Sequence, residues 1–356
     1  MATELKGPSK ELNPERTSSN KSSSPEISVI VPCNHPDHDL WLLLKSVLTG
    51  DQLPAEILIV RSGSVTNEFV NTQFNPLTFN RDFGALPHRP EVSIKVCDLV
   101  HAYPGEARNI GTQHAIGDLL AFLDVKTIAE KTWLSEASQI LANPNVDGVW
   151  GNCLYASNSL LSSLVRDAIY GRHPVRSVAG SVFRRQVLGS TGAMIPWTPA
   201  GEDGDWIQRV EAHRLSFVRP GNFNHRYEGL HNQSLKFFLR KWWRYYHQSR
   251  LLPTNNRDRW LSYGLLYLIL TFFAFNWNYQ ISGLLLGSAL VVPHITKIIM
   301  IAGPFIYLLL RGIYLPLKRG VPVLKVLPWR FVMLFFVAFT LDAVKTFALL
   351  IPRRST

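Results

Sequence analysis

Ile27-Ser28-Val29-Ile30-Val31-Pro32-Cys33-Asn34 is the stretch on which the fold turns. Ile27 to Val31 is a short, uncharged, β-branched run, and Pro32 closes it because proline has no N–H for a central ladder. Such a run reads as a strand buried on both faces. Downstream, Asp39 to Leu48 places Leu40, Leu43, Leu44, Val47 and Leu48 at helical spacing. Glu56 to Val60 predicts a second strand, ended by Ser62-Gly63-Ser64, and Val92 to Val96 a third. Pro104-Gly105-Glu106 opens a helix running to about Ala115, and Leu119 to Leu123 is a fourth buried strand. Strands alternating with helices at this spacing predict an α/β fold with a mostly parallel sheet. Ligands of such sheets bind beyond the carboxyl ends of the strands. Those ends are Pro32-Cys33-Asn34, Arg61-Ser62-Gly63 and Asp124-Val125-Lys126. Asn71 to Pro90 has no periodicity and reads as a loop insertion.

The chain has 356 residues and a net charge of +11, and the charge is unevenly placed. Between Glu228 and Asp342 the one acidic residue is Asp258, against thirteen Lys and Arg, so this stretch carries +12 and the remainder −1. The basic residues punctuate apolar runs instead of lining a soluble face. That favours membrane lipids as partners and argues against nucleic acid. Cys33, Cys97 and Cys153 are too scattered for a disulfide framework or paired metal spacing. Met1 to Ser24 has no apolar core and reads as a disordered tail, not a signal peptide. The soluble part is therefore expected on the cytoplasmic side of a cell membrane.

Beyond Asn222 the character changes. Ser234 to His247 sets Leu235, Phe238, Leu239, Trp242 and Tyr246 on one helical face and Lys236, Arg240, Arg244 and His247 on another. That pattern predicts an interfacial helix, the bland alternative being a surface helix packed on the domain. Apolar runs follow at Trp260–Phe275, Ile281–Val292, Ile298–Leu310 and Phe331–Leu350. They predict a multi-pass or interfacially anchored protein with about two to four membrane segments, the loop from Lys318 to Arg330 being cytoplasmic. Asp342 and Lys345, spaced i, i+3, would form a costly ion pair inside the last segment. The expected division is a tail over 1–24, the α/β domain over 25–230, an interfacial helix and linker over 231–259, and membrane-embedded helices over 260–356.

Between Glu26 and about Glu228 an ordered set of motifs stands out. It comprises Ser28-Val29-Ile30-Val31-Pro32, Gly63-Ser64, Ala107-Arg108-Asn109-Ile110-Gly111, Ala121-Phe122-Leu123-Asp124, Gly201-Glu202-Asp203-Gly204-Asp205, Arg209 and His225. In order and spacing the set resembles glycosyltransferase family 2, whose catalytic domain has the Rossmann-like GT-A fold. The resemblance implies an inverting transfer from a nucleotide-diphosphate sugar to a glycan or lipid-linked acceptor. It places Pro32, Cys33, Asn34, Ser62 and Gly63 around the base and ribose, and Arg108 with Asn109 near the phosphates or ribose. It further implies Asp203 as general base with Glu202 positioning it, Asp124 beside the diphosphate, and His225 approaching the diphosphate or a metal. The bland alternative for Glu202-Asp203 is an acidic loop capping a helix from Trp206 to Ala212.

Two positions depart from the family pattern. Arg61-Ser62 stands where an acidic residue would meet a uracil-like base, so Ser62 offers only a neutral bond. Asp124-Val125-Lys126 stands where Asp-x-Asp holds magnesium or manganese. Lys126 replaces a metal ligand by a cation, leaving Asp124 as the one carboxylate of that motif. Two readings follow: an enzyme whose Lys126 takes over part of the metal's charge, or a catalytically inactive membrane scaffold of the same fold. A transporter subunit is a third class, and it would need polar groups converging inside the bilayer. Processive synthases that resemble this family carry Gln-x-x-Arg-Trp near the membrane; here the text is Phe238-Leu239-Arg240-Lys241-Trp242, which favours single-sugar addition.

Overall fold

The computed structural model of the chain describes residues 25–34, 38–64, 72–73, 84–221, 223–249, 252, 267 and 294–350. In chain order its first half contains β1 (Ile27–Cys33), α1 (His38–Leu48), β2 (Glu56–Ser62), β3 (Thr72–Gln73), β4 (Ser93–Leu99), α2 (Pro104–His114), β5 (Leu119–Phe122), β6 (Thr127–Ile128), α3 (Trp133–Leu141) and β7 (Gly148–Tyr155). Then come α4 (Leu160–Val165), a π-helical turn (Arg166–Tyr170), β8 (Val175–Arg184), α5 (Gln186–Thr191), α6 (Glu202–Ala212), β9 (Phe217–Val218) and β10 (His225–Tyr227). The C-terminal part holds α7 (Leu235–Ser249), α8 (His294–Leu309), a second π turn (Leu310–Tyr314), α9 (Leu315–Lys318), α10 (Val323–Val326) and α11 (Arg330–Leu350).

One sheet runs β3-β4-β2-β1-β5-β8-β7-β10-β6, with β9 on β7. Its β4-β2-β1-β5 core is parallel, with Val31 beside Ile59 and Val29 beside Ala121. Alternation puts Val29, Val31, Ile57 and Ile59 against α1 and α3, and Ile30, Leu58, Leu120 and Phe122 against Trp206 and Val210 of α6. The sheet is thus buried on both faces, as the uninterrupted β1 run requires. Beyond β5 the character is different from a simple parallel sheet, since β8 is antiparallel to both β5 and β7. β7 and β8 carry no clean apolar run. Gly151 of β7 lies so close to the Ala179 carbonyl and Gly180 of β8 that a Cβ would overlap them, and its N–H donates to Ser181 Oγ at 2.9 Å. The insertion expected over Asn71–Pro90 contains β3, which adds an antiparallel edge to β4.

The apolar face of α7 is covered by protein. Phe238 is buried with Val165, Leu230 and Leu341, so α7 packs on α11 and the first π turn rather than presenting that face outward. α11 is the one helix among the described residues long and apolar enough to cross a membrane, with a mean hydropathy of 1.9 over Arg330–Leu349. At 1.5 Å per residue its 21 residues span roughly 32 Å, about the hydrocarbon thickness of a bilayer. Met333, Phe336, Phe339 and Phe347 stand exposed along it, with Phe305 and Ile306 of α8 also exposed. The Asp342 carboxylate lies inside this packing, accepting from Arg311 at 2.9 Å and from the Tyr307 hydroxyl at 2.6 Å. Lys345 places its Nζ 4.4 Å from the Tyr246 ring centroid. The apolar runs 260–275 and 281–292, apart from Tyr267, and the tail 1–24 lie outside the described residues.

Candidate active site

The carboxyl ends of β1, β2 and β5 and the N-termini of α2 and α6 enclose a cleft of about 440 Å³. Pro32, Cys33 and Asn34 line it from β1, Ser62 from β2, Asp124 and Lys126 from beyond β5, Arg108 from α2, and Glu202 and Asp203 from α6. The sequence motifs therefore meet in one place. Tyr227 of β10, Val60, Ala102 and Ala107 also line it; as single apolar or aromatic residues they carry no spacing signal that would mark them in the sequence.

Arg108 organises the cleft. Pro104 starts α2 at a position where its missing N–H costs nothing, and Ala107 and Gly111 seat the helix on the sheet. A Cβ on Gly111 would come within 2.5 Å of Ile30 Cγ2, so only glycine allows this approach. Arg108 is thereby driven inward until 2% of it remains exposed. Its guanidinium reaches Asp124 at 2.7 Å, Asp203 at 2.9 Å and Glu202 at 3.1 Å. Burial works against that charge, but the three carboxylates outweigh it and hold the guanidinium protonated. Arg108 is thus neither a surface arginine nor a free phosphate ligand. Asn109 acts locally, its amide donating to the Met194 carbonyl at 2.8 Å and accepting from the Met194 N–H at 2.9 Å.

Glu202 and Asp203 occupy the first turn of α6, which begins at Glu202 rather than Trp206. Gly201, with φ +96°, is the N-cap and supplies no side-chain cap, so the acidic residues are not capping groups. Their position at a helix N-terminus still favours negative charge. Asp205 and Arg209 close a separate clip at 2.8 Å that anchors the helix. Glu202 is buried, whereas the Asp203 side chain is 39% exposed and opens to the cleft. Desolvation by the cleft wall, tempered by that exposure, then the neighbouring Glu202 and Asp124, push the Asp203 carboxyl up to about 7 against the pull of Arg108.

Lys126 reaches the cleft wall with its Nζ 3.9 Å from Asp39 Oδ2. A second lysine approaches from α7. Lys241 places its Nζ 5.9 Å from the ring centroid of Tyr227, and burial followed by repulsion from Lys126 brings its ammonium down to about 8. In the sequence Lys241 is visible only as part of a broken motif; its approach to Lys126 depends on how α7 packs, which spacing does not reveal.

Gly63, His225 and Arg61 fall outside the cleft lining. Gly63, at φ +95°, turns the chain after β2 and donates its N–H to the Leu99 carbonyl at 3.0 Å. His225 is fully buried in β10, edge-on to Trp133 at 5.1 Å, and its Nδ1 accepts from the Glu130 N–H at 3.2 Å. Burial pushes its imidazole down to about 3, which keeps it neutral. Arg61 turns away to pair with Asp98, its register neighbour on β4, at 2.6 Å. Ser62 Oγ accepts from the Ala102 N–H at 2.8 Å. All three cysteines are buried and none is in a disulfide.

The donor set does not fit a protein-held divalent ion. Among the described residues no three His, Cys, Asp or Glu side chains converge as ligands. Asp124 Oδ1 is engaged by Arg108, and two residues on, where a second ligand would stand, is Lys126, whose ammonium has no lone pair to offer a metal.

Residues 28–189, just under half of the chain, match the family model described as Glycosyl transferase family 2; the match ends before Glu202. No curated protein matches the chain. Among solved structures, the mannosyltransferase PcManGT from Pyrobaculum calidifontis in complex with GDP-Man and Mn2+ is 16% identical, with a TM-score of 0.49 over 92% of this chain and 88% of that one. S. aureus TarS 1-349 in complex with UDP-GlcNAc is 15% identical, with a TM-score of 0.40 over 59% of each chain. The chain spans 38% of a further S. aureus TarS structure at 16% identity and a TM-score of 0.40. At these values none of the neighbours bears on the chemistry of this cleft.

Proposed function

We propose, from the premise that residues 28–189 form a glycosyl transferase family 2 domain, that this glycosyltransferase moves a sugar with inversion from a nucleotide-diphosphate sugar to a membrane-proximal or lipid-linked acceptor. The observation that carries the reading is Asp203. It is the carboxylate that opens to the cleft while Glu202 lies buried beside Arg108, and it is raised toward neutrality as a general base should be. The acceptor hydroxyl oxygen attacks the anomeric carbon and gives its proton to Asp203. The bond from that carbon to the diphosphate oxygen breaks, and its electron pair leaves with the nucleoside diphosphate. Glu202, Asp124 and Arg108 fix the position of Asp203.

The leaving diphosphate gains charge as the bond breaks. Lys126 and Lys241 supply the opposing charge as two compact ammonium groups, in the place where the family's Asp-x-Asp pattern would hold a metal. The nucleoside lies along Pro32, Cys33, Asn34 and Ser62, with Ser62 giving the base a neutral hydrogen bond. Residues 25–230 form the catalytic unit, 231–259 link it, and 260–356 hold it at the membrane. Single-sugar addition is the outcome, since the Gln of the processive motif is missing before Lys241.

Transfer from a panel of nucleotide sugars into a membrane extract, by the unmodified chain and by Asp203→Asn, tests this reading. Transfer by the former, lost by about a hundredfold or more in a folded Asp203→Asn, is the expected result. Transfer that survives the substitution removes Asp203 from its role. No transfer from any donor by the unmodified chain supports the inactive scaffold instead.

A further inference from the structure

A second groove, of about 560 Å³, lies away from the cleft where α11 begins. Arg166, Arg172, Lys325 and Arg330 line it, and none of its lining residues is acidic. Behind it sits the fully buried Asp167, whose carboxylate meets Arg166 at 2.8 Å, Arg330 at 3.0 Å and Arg172 at 3.3 Å. Burial would raise that carboxyl, and the hydrogen bonds from Arg166 and Arg172 bring it below its ordinary range. One carboxylate therefore gathers three guanidiniums and neutralises a single charge among them. Lys325 is the fourth cation, so the four basic residues and Asp167 together carry +3. The guanidiniums are themselves largely covered, so their field is screened less than that of free surface charges. Planar forks of this kind suit phosphate oxygens.

The surroundings say where such a phosphate comes from. Leu324, 92% exposed, and Trp329, 78% exposed, are the most exposed large apolar side chains among the described residues. They flank Lys325 and Arg330 in sequence, with Val323 and Leu160 also exposed. Arg330 is the first residue of α11, and it donates to Ser163 Oγ at 2.9 Å, which ties the start of that helix to α4. Apolar side chains and tryptophan beside cations are the composition of a membrane interface. A soluble anion needs the cations but gives no use for bare Leu324 and Trp329.

We propose that this groove holds the phosphate of an anionic lipid headgroup, with Leu324 and Trp329 dipping into the acyl boundary beside it. The inference rests on the reading that α11 meets a membrane, and it is independent of the transfer chemistry. The test is sedimentation of the full chain with vesicles of phosphatidylcholine alone and with roughly a quarter phosphatidylglycerol. The expected result is tighter binding to the anionic vesicles, falling about fivefold for each cation removed in Lys325→Gln and in Arg172→Gln with neutral vesicles unaffected. Leu324→Ser weakens binding to both vesicles. Lys325→Gln decides the matter if Arg172→Gln proves unfolded, because Asp167 is not among the contacts of Lys325. An anionic preference untouched by Lys325→Gln overturns the proposal. So does a preference abolished by millimolar inorganic phosphate while Leu324→Ser leaves vesicle binding unchanged, which would make this a site for the free anion. Binding to neutral vesicles with no anionic preference overturns the headgroup site alone, whereas binding to neither vesicle overturns the membrane reading with it.

Discussion

Arg108 holds Asp124, Glu202 and Asp203 together from a position 2% exposed, so its removal leaves three neighbouring carboxylates without a counter-charge. Breaking a buried ionic cluster from one side costs about 3–5 kcal/mol, and solvent at Asp124 and Asp203, each more than a third exposed, brings this to about 2–3 kcal/mol. Arg108→Gln is expected to lose that much in urea unfolding; a loss below about 1 kcal/mol would show that the cluster contributes little to the fold. Two groups shifted into the neutral range, Asp203 in the cleft and Lys241 beside Tyr227, set a pH dependence. In the proposed transfer Asp203 must be ionised to take the acceptor's proton, so turnover is expected to rise as pH passes about 7. In the same proposal Lys241 must stay protonated to face the diphosphate, so turnover is expected to fall as pH passes about 8. A narrow bell in the pH–rate profile is the expected outcome, and Lys241→Met should remove its alkaline limb while lowering the rate. At this scale the sequence is informative about which charged residues gather and less so about what each one holds. Asp124, Lys126, Arg108 and Asp203 are legible because charged residues stand at strand and helix ends. That Arg108 binds carboxylates, that Asn109 grips Met194 and that His225 is sealed beneath Trp133 depends on contacts between groups far apart in the chain.

Among the elements, α2 and α7 position the chemistry. α2 lies against β1 and β2 through Gly111, where a Cβ would press on Ile30 and Val60. Gly111→Ala is therefore expected to destabilise the chain by about 1–3 kcal/mol in chemical denaturation, as overpacking does. An unchanged or higher stability would mean that α2 can lift away without penalty. The parallel strands β1, β2, β4 and β5 are readable because strands covered on both faces are nearly continuous apolar runs. β7 and β8 are not, since Gly151, Asn152, Arg176, Ser177 and Gly180 interrupt them and their pairing is fixed by close backbone approach. The amphipathic pattern of α7 is correctly helical, but periodicity reports a face to be covered without reporting by what. α11 and the first π turn cover it.

For the whole molecule, the charge split between the two parts of the chain has a structural counterpart. The α/β unit sets acidic groups around the cleft, and the basic, apolar part ends in α11, with exposed phenylalanines along it. Asp342, which reads from sequence as half of an intramembrane pair with Lys345, is satisfied by Arg311 and Tyr307 instead, a partnership 31 and 35 residues away that helical spacing cannot show. These parts join in the proposal made above, that the chain transfers a sugar at the membrane and meets the charge of the leaving diphosphate with its own lysines. The direct measurement is the rate of sugar transfer by the full chain in its membrane, in EDTA and with added manganese. The rate is predicted to persist in EDTA and to fall by about a hundredfold in Lys126→Met. Activity lost in EDTA and restored by manganese would contradict it.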